Sequence, residues 1–85
     1  MESKVKKAIF KAVSREPLAK LMNMVLIELE RGHSIVEMDY QPETMNNIYN
    51  RAHGGAIYAL IDEAFETASQ TDGIIAVALN VNVTY

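Results

Sequence analysis

Apolar positions along this chain change period several times, and each change marks a new element. Residues 4–13 place Val5, Ala8, Ile9, Ala12 and Val13 at helical spacing with lysines between them. Ser14 reads as a new N-cap with Pro17 in the following first turn, so Leu18, Leu21 and Met22 form the apolar side of a second, short helix. From Met24 the period drops to two. Val25, Ile27 and Leu29 point one way and Leu26, Glu28 and Glu30 the other, which predicts a half-buried strand. Arg31-Gly32-His33 is a turn, and residues 35–40 are the returning strand of a hairpin. Residues 41–47, with Pro42 and two asparagines, read as a loop. Residues 54–70 carry the clearest helix: Ile57, Leu60, Ile61, Ala64, Phe65 and Ala68 form its apolar arc, and Glu63, Glu66 and Gln70 its polar side. Thr71-Asp72-Gly73 ends it, with Gly73 as a left-handed cap. Residues 74–85 are a long β-rich run.

The order helix, strand, strand, long helix, strand predicts an α+β domain occupying residues 1–85 as a single unit. Its last residues, Val83-Thr84-Tyr85, are strong strand formers with no turn after them. Three strands cannot wrap a helix that is apolar around most of its perimeter, and their edges would stand open. The chain therefore reads as a domain cut in mid-sheet after three strands, the rest either missing or supplied by a partner, and one that does not fold as an isolated monomer. Composition agrees with a globular class: 49% of residues are hydrophobic. The run from Ile74 to Leu79 is far too short to span a bilayer. No signal-peptide pattern is visible and there is no cysteine, which removes disulfides, thiol catalysis and thiolate metal sites and fits a cytoplasmic address. The net charge of −3 argues against general nucleic-acid binding. It is uneven: residues 1–20 balance at +4, leaving −7 for the rest. The basic N-terminal helix could meet an anionic partner or a cofactor phosphate, but a solvated helix face is the more ordinary reading.

The candidate chemistry lies at the long helix. His53-Gly54-Gly55 opens it, and two glycines cost helix propensity that something should offset. Uncrowded N–H groups at the positive end of a helix can hold a carbonyl or an oxyanion, although a tight turn would also use such glycines. Asp62, nine residues after His53, falls roughly 120° from the centre of the apolar arc at 100° per residue. At that border it could serve as a base or nucleophile in a partly desolvated cleft, or be a plain surface carboxylate. Glu66, one turn on, could couple to it. Asn47 could place a hydrogen bond at the helix mouth, and His53 could orient a substrate or cap the turn; His33 reads as solvated. The serines lack an elbow signature, and two histidines without paired spacing do not predict a metal site.

As a set, Asn47, His53-Gly54-Gly55, Asp62 and the closing Asn82-Val83-Thr84-Tyr85 resemble the hotdog-fold thioesterases, in particular the phenylacetic-acid-degradation (PaaI-like) type, over roughly residues 24–85. The resemblance implies a long helix wrapped by a curved antiparallel sheet, and a dimer or tetramer with active sites shared between subunits. It implies that the Gly54 N–H polarises the thioester carbonyl while Gly55 and His53 shape the turn and substrate site. Asp62 from the other subunit would activate water or attack directly, and Asn47 would help to place water or substrate. The implied substrate is an acyl-coenzyme A; no metal, redox cofactor, nucleic acid or membrane enters. Three positions depart from the family: Asn50 where glycine is frequent, Ala78 where some members carry a hydroxyl on the strand after the helix, and Glu66 where some carry a hydroxyl one turn beyond the acid. A non-catalytic acyl-binding or assembly module is the alternative. A hotdog dehydratase fits less well, since the loop after Tyr40 holds only Pro42. Tyr49, Tyr58 and Phe65 could line an acyl pocket or be core.

Overall fold

The computed structural model describes residues 1–85. Six elements follow one another: α1 (Ser3–Arg15), α2 (Pro17–Leu21), β1 (Met24–Glu30), β2 (His33–Met38), α3 (Pro42–Met45) and α4 (Gly54–Ser69). β1 and β2 form an antiparallel hairpin, and all the larger helices lie on one of its faces.

α1 runs further than its apolar pattern suggested. The Ser14 hydroxyl does not cap α2; it donates to the Lys11 carbonyl at 2.6 Å, inside α1. The N-cap is Glu16, held extended at φ −71°, ψ 122° because the residue before a proline is driven out of the helical region. The predicted loop at 41–47 contains one short helical turn, α3, which Pro42 can start because the first helical residue needs no N–H partner.

The strand pairing corrects the predicted face of β1. Leu26 opposes Val36 and Glu28 opposes Ile35, so Ile27 is an extra residue in a β-bulge. A bulge flips the alternation beyond it. Met24 and Leu26 before it and Leu29 after it therefore point to the same, helix-covered side, while Val25 and Ile27 are exposed on the other. The core joins Val13, Ala19, Met24, Leu26 and Leu29, with Ile9, Phe10, Met22, Val36, Met38 and Leu60 packed around it. Leu29, with no exposed surface, is its anchor.

α4 packs mainly on β2, and its inward stripe is not the predicted one. Ala56, Glu63 and Thr67 are buried, with Leu60 between them packed against the core, whereas Ile57, Ile61 and Phe65 are 37–46% exposed. Hydrogen bonds, not only apolar contacts, fix this orientation. The Thr67 hydroxyl lies 2.9 Å from the Ser34 hydroxyl, which donates to the Ala64 carbonyl, and Thr71 accepts the Gly32 N–H at 2.8 Å. Gly32 adopts φ +69° in the hairpin turn and Gly73 φ +82° after the helix, conformations that favour glycine. Residues 74–85, expected as a strand, form no ladder. They run along α4, tied at 76 by a two-way bond between the Gln70 side chain and the Ala76 backbone. Strand composition does not by itself make a strand: this run lies on α4 and beside neither outer edge of the hairpin, whose strands pair only with each other.

Candidate active site

The loop that delivers the chain to α4 is built around Asn47. Its Oδ1 accepts the N–H groups of Tyr49 (2.8 Å) and Arg51 (3.2 Å), and its own N–H donates to the Arg51 carbonyl at 2.7 Å. A bridge between Asn46 and Ala52 closes the loop, and the Tyr40 hydroxyl donates to Asn46 Oδ1. Asn50 sits at φ +59°. That position suits glycine, and asparagine is among the few side chains that enter it readily. Asparagine is thus compatible with the backbone conformation this loop adopts.

His53 is the N-cap of α4. Its Nδ1 accepts the Gly55 N–H at 2.8 Å, which requires Nδ1 to be unprotonated. A Cβ on Gly55 would lie 3.0 Å from that nitrogen, so a side chain there would displace the cap. The Gly54 N–H lies in the first turn, where no intrahelical acceptor exists, and no loop or side-chain acceptor takes it. The ring of Tyr85 covers Gly54, and its hydroxyl donates to the Gly54 carbonyl at 2.9 Å. The sequence pattern included Tyr85 only as the end of a motif; the structure brings it to the helix mouth.

Asp62 is half-buried, at the edge of the covered face. It lines two adjoining clefts where residues 76–82 cross α4. One, of about 230 Å³, holds Asp62, Phe65, Glu66 and Ala76 to Ala78. The other, of about 320 Å³, holds Tyr58, Ile61, Asp62, Phe65, Asn80 and Asn82. Tyr58 and Phe65 share this second cleft with Asp62, while Tyr49 stands exposed on the loop. Ala78 does share a cleft with Asp62 and offers no hydroxyl.

Gly54 and Asp62 do not meet within one chain. Eight residues of helix set them ~12 Å apart along the axis and a large angle around it, beyond the reach of one carbonyl group.

Sequence reasoning missed a cluster of three acids, one buried (Glu63), one half-buried (Glu16) and one exposed (Glu66). Carboxylate oxygens of Glu16, at the α1–α2 bend, and of Glu63 and Glu66 lie within 4.8 Å of one another. Glu63, placed on the polar side by its pattern, is only 4% exposed. Burial, reinforced by Glu16 and Glu66, pushes its carboxyl up to about 9. Burial and then Glu16 push Glu66 up to about 7, and the charge of Asp62 adds a smaller share. The expected coupling of Glu66 to Asp62 is therefore present but secondary. A four-residue spacing from Glu63 to Thr67 hints at a shared inward stripe; nothing local in the sequence links either to Glu16.

No family model matches the chain. Over all 85 residues it is 35% identical to an Archaeoglobus fulgidus protein named "Putative esterase", of which it covers 53%. Over 60 residues, 71% of the chain, it is 32% identical to the acyl-coenzyme A thioesterase PaaI of Escherichia coli, covering 42% of that protein. The solved structure of the E. coli PaaI protein from the phenylacetic acid degradation operon superposes with a TM-score of 0.82 at 27% identity, over 91% of this chain and 55% of that one. The chain is similar in sequence and in fold to these PaaI-like hotdog proteins. It spans about half the length of the curated relatives it matches. In a hotdog fold α4 is the long helix that the sheet wraps, which places the His-Gly-Gly turn at its N-terminus and Asp62 on its flank. No helix is long and apolar enough to cross a membrane.

Proposed function

We propose that this chain carries the catalytic groups of a thioesterase that hydrolyses an acyl-coenzyme A with a small aromatic or short-to-medium acyl group. The observation that carries the reading is an uncommitted N–H at the positive end of α4 together with a half-buried carboxylate on the same helix, in a chain similar to the acyl-coenzyme A thioesterase PaaI. The Gly54 N–H donates to the thioester carbonyl, where it and the helix dipole stabilise the developing oxyanion. His53 and Gly55 hold the turn in which that N–H is presented to the substrate. Asp62 takes a proton from water as the oxygen attacks the carbonyl carbon. The tetrahedral intermediate then expels the coenzyme A thiolate, which recovers the proton from Asp62. Direct attack by Asp62 through an anhydride, with water opening the anhydride in a second step, is the variant route. Asn47 holds the loop and, through its remaining amide N–H groups, helps to place water or substrate.

The ~12 Å between Gly54 and Asp62 along one helix supports a site in which the two groups come from different copies, hence a homodimer or a pair of dimers. The test is thiol release from a panel of acyl-coenzyme A esters, phenylacetyl included, by the protein and its Asp62→Asn variant, with oligomeric state followed by light scattering. The expected result is a loss of roughly 10²–10⁴-fold in kcat with the assembly unchanged. Turnover indifferent to Asp62, or none from a folded assembly, would turn the assignment to an acyl-binding module.

A further inference from the structure

The acid trio at the α1–α2 bend lies away from the Gly54 mouth and has no part in the mechanism above. None of its members pairs with a base: the ion pairs of the chain are Lys6–Glu30, Arg31–Asp72 and His33–Glu28. Glu63 is 96% removed from solvent, and its Oε2 accepts no hydrogen bond; the same is true of the buried Glu16 Oε1. Buried acceptors of this kind are rare unless a ligand or ion completes them. The neighbouring polar groups are already committed. Thr67 is bonded to Ser34, and the Gln70 amide to the Ala76 backbone in both directions. What faces these oxygens must therefore be a cation or protons.

We propose that Glu16, Glu63 and Glu66 bind a hard divalent cation of about calcium size that clamps the α1–α2 bend to α4. The donor set is all carboxylate oxygen, the chemistry of Ca²⁺ and Mn²⁺ sites and not of zinc or copper. The ligand oxygens lie within 4.8 Å of one another, a span that oxygens at the Ca–O distance of about 2.3–2.6 Å cover on opposite sides of one ion. A cavity of about 330 Å³, lined by Glu16 and Glu66 with Ile9, Val13 and Gln70, adjoins the trio and leaves room for water to complete the shell. The clamp has a mechanical reason as well. α1 and α2 rest on β1 while α4 rests mainly on β2, so an ion here would bridge two parts of the helical layer that otherwise meet chiefly through the sheet.

The test is isothermal titration of the chelator-treated full chain with CaCl₂ and, separately, MnCl₂ at pH 8, paired with thermal melting in the same buffers. One saturating equivalent and a raised Tm are expected. Glu63→Gln should weaken binding at least about tenfold by removing one charged ligand. Glu16→Gln, at a less buried position, should do the same should the first variant alter the fold, and Asp72→Asn should leave binding unchanged. No heat and no shift in melting for the parent chain would overturn the proposal. So would titration to several equivalents that both Glu variants leave intact, which would mark loose binding to surface acids. The readout is independent of thioester hydrolysis, so it stands or falls apart from the proposed activity.

Discussion

The two sides of α4 reverse the ordinary rule. Toward the hairpin it presents Ala56, Leu60, Glu63 and Thr67; away from it stand Ile57, Ile61 and Phe65. A carboxylate is buried and a phenylalanine is 46% exposed on one helix. The difference teaches that burial is set by what covers a face, not by its composition. The hairpin covers only one side of α4, and the polar groups on that side are tied to it through Ser34 and Gly32. The chain spans about half the length of its curated relatives. In a hotdog fold the sheet wraps the helix, so the uncovered apolar side is the one that further strands or another subunit would meet.

The buried side can be broken most sharply at Glu63. Its carboxyl is raised above the ordinary 4.5 to about 9, so the folded state holds a proton that the unfolded state has lost. Stability in chelator should then fall as pH rises from about 4.5 to about 9, because the unfolded chain binds fewer protons throughout that window. Glu63→Gln should flatten the profile, leaving the variant more stable than the parent by on the order of 3 kcal/mol at pH 9. That lies below the roughly 6 kcal/mol ceiling of the full shift, since water reaches the other two acids. Denaturant melts at pH 5, 7 and 9 read this directly. A parent chain whose stability is level across that range would show that Glu63 is not desolvated by α1 and the sheet.

A smaller effect should come from Thr67→Val, which keeps the shape and removes the hydroxyl shared with Ser34. Loss of the bond, with Ser34 left as a part-buried group that still reaches the Ala64 carbonyl, should cost about 1–2 kcal/mol. The cost should be independent of pH, which separates it from the Glu63 effect in the same melts. A neutral outcome would mean that the inward stripe is held by Ala56 and Leu60 alone.

How much of this was legible in sequence follows from which interactions are local. The hairpin, the helix limits and the His-Gly-Gly turn depend on neighbours in the chain, and residues 54–70 nearly match the observed Gly54–Ser69. The β1 face failed because a bulge at Ile27 is decided by pairing across the turn, which alternation along one strand does not encode. The inward stripe of α4 failed for a related reason: the pattern marks which face is apolar, whereas the observed face is chosen by the hydroxyls of Thr67 and Thr71 and by the area of sheet on offer. Residues 74–85 have strand composition but lie along α4, away from the open edges of the hairpin. Of the candidate site, Gly54, His53 and Asp62 are legible in sequence because a helix carries them in register, while Tyr85 over Gly54 and the Glu16–Glu63–Glu66 trio depend on contacts remote in sequence.

The outward side supplies the mildest prediction for the fold and the most informative one for assembly. Phe65→Ser removes apolar surface that is already half in water, so the stability of the fold described above should move by less than about 0.5 kcal/mol. Phe65 also lines both clefts around Asp62. If that side is where a second copy or the remainder of the sheet closes over the helix, the same substitution should shift the monomer–oligomer balance by a factor of about ten or more in sedimentation equilibrium. It should also depress turnover, since Gly54 and Asp62 cannot meet within one helix. A variant that loses stability as a monomer but assembles normally would reverse the assignment of the two sides. Phe65 would then be core, and the exposed face of the β1–β2 hairpin, with Val25, Ile27 and Ile35, would become the surface through which copies meet.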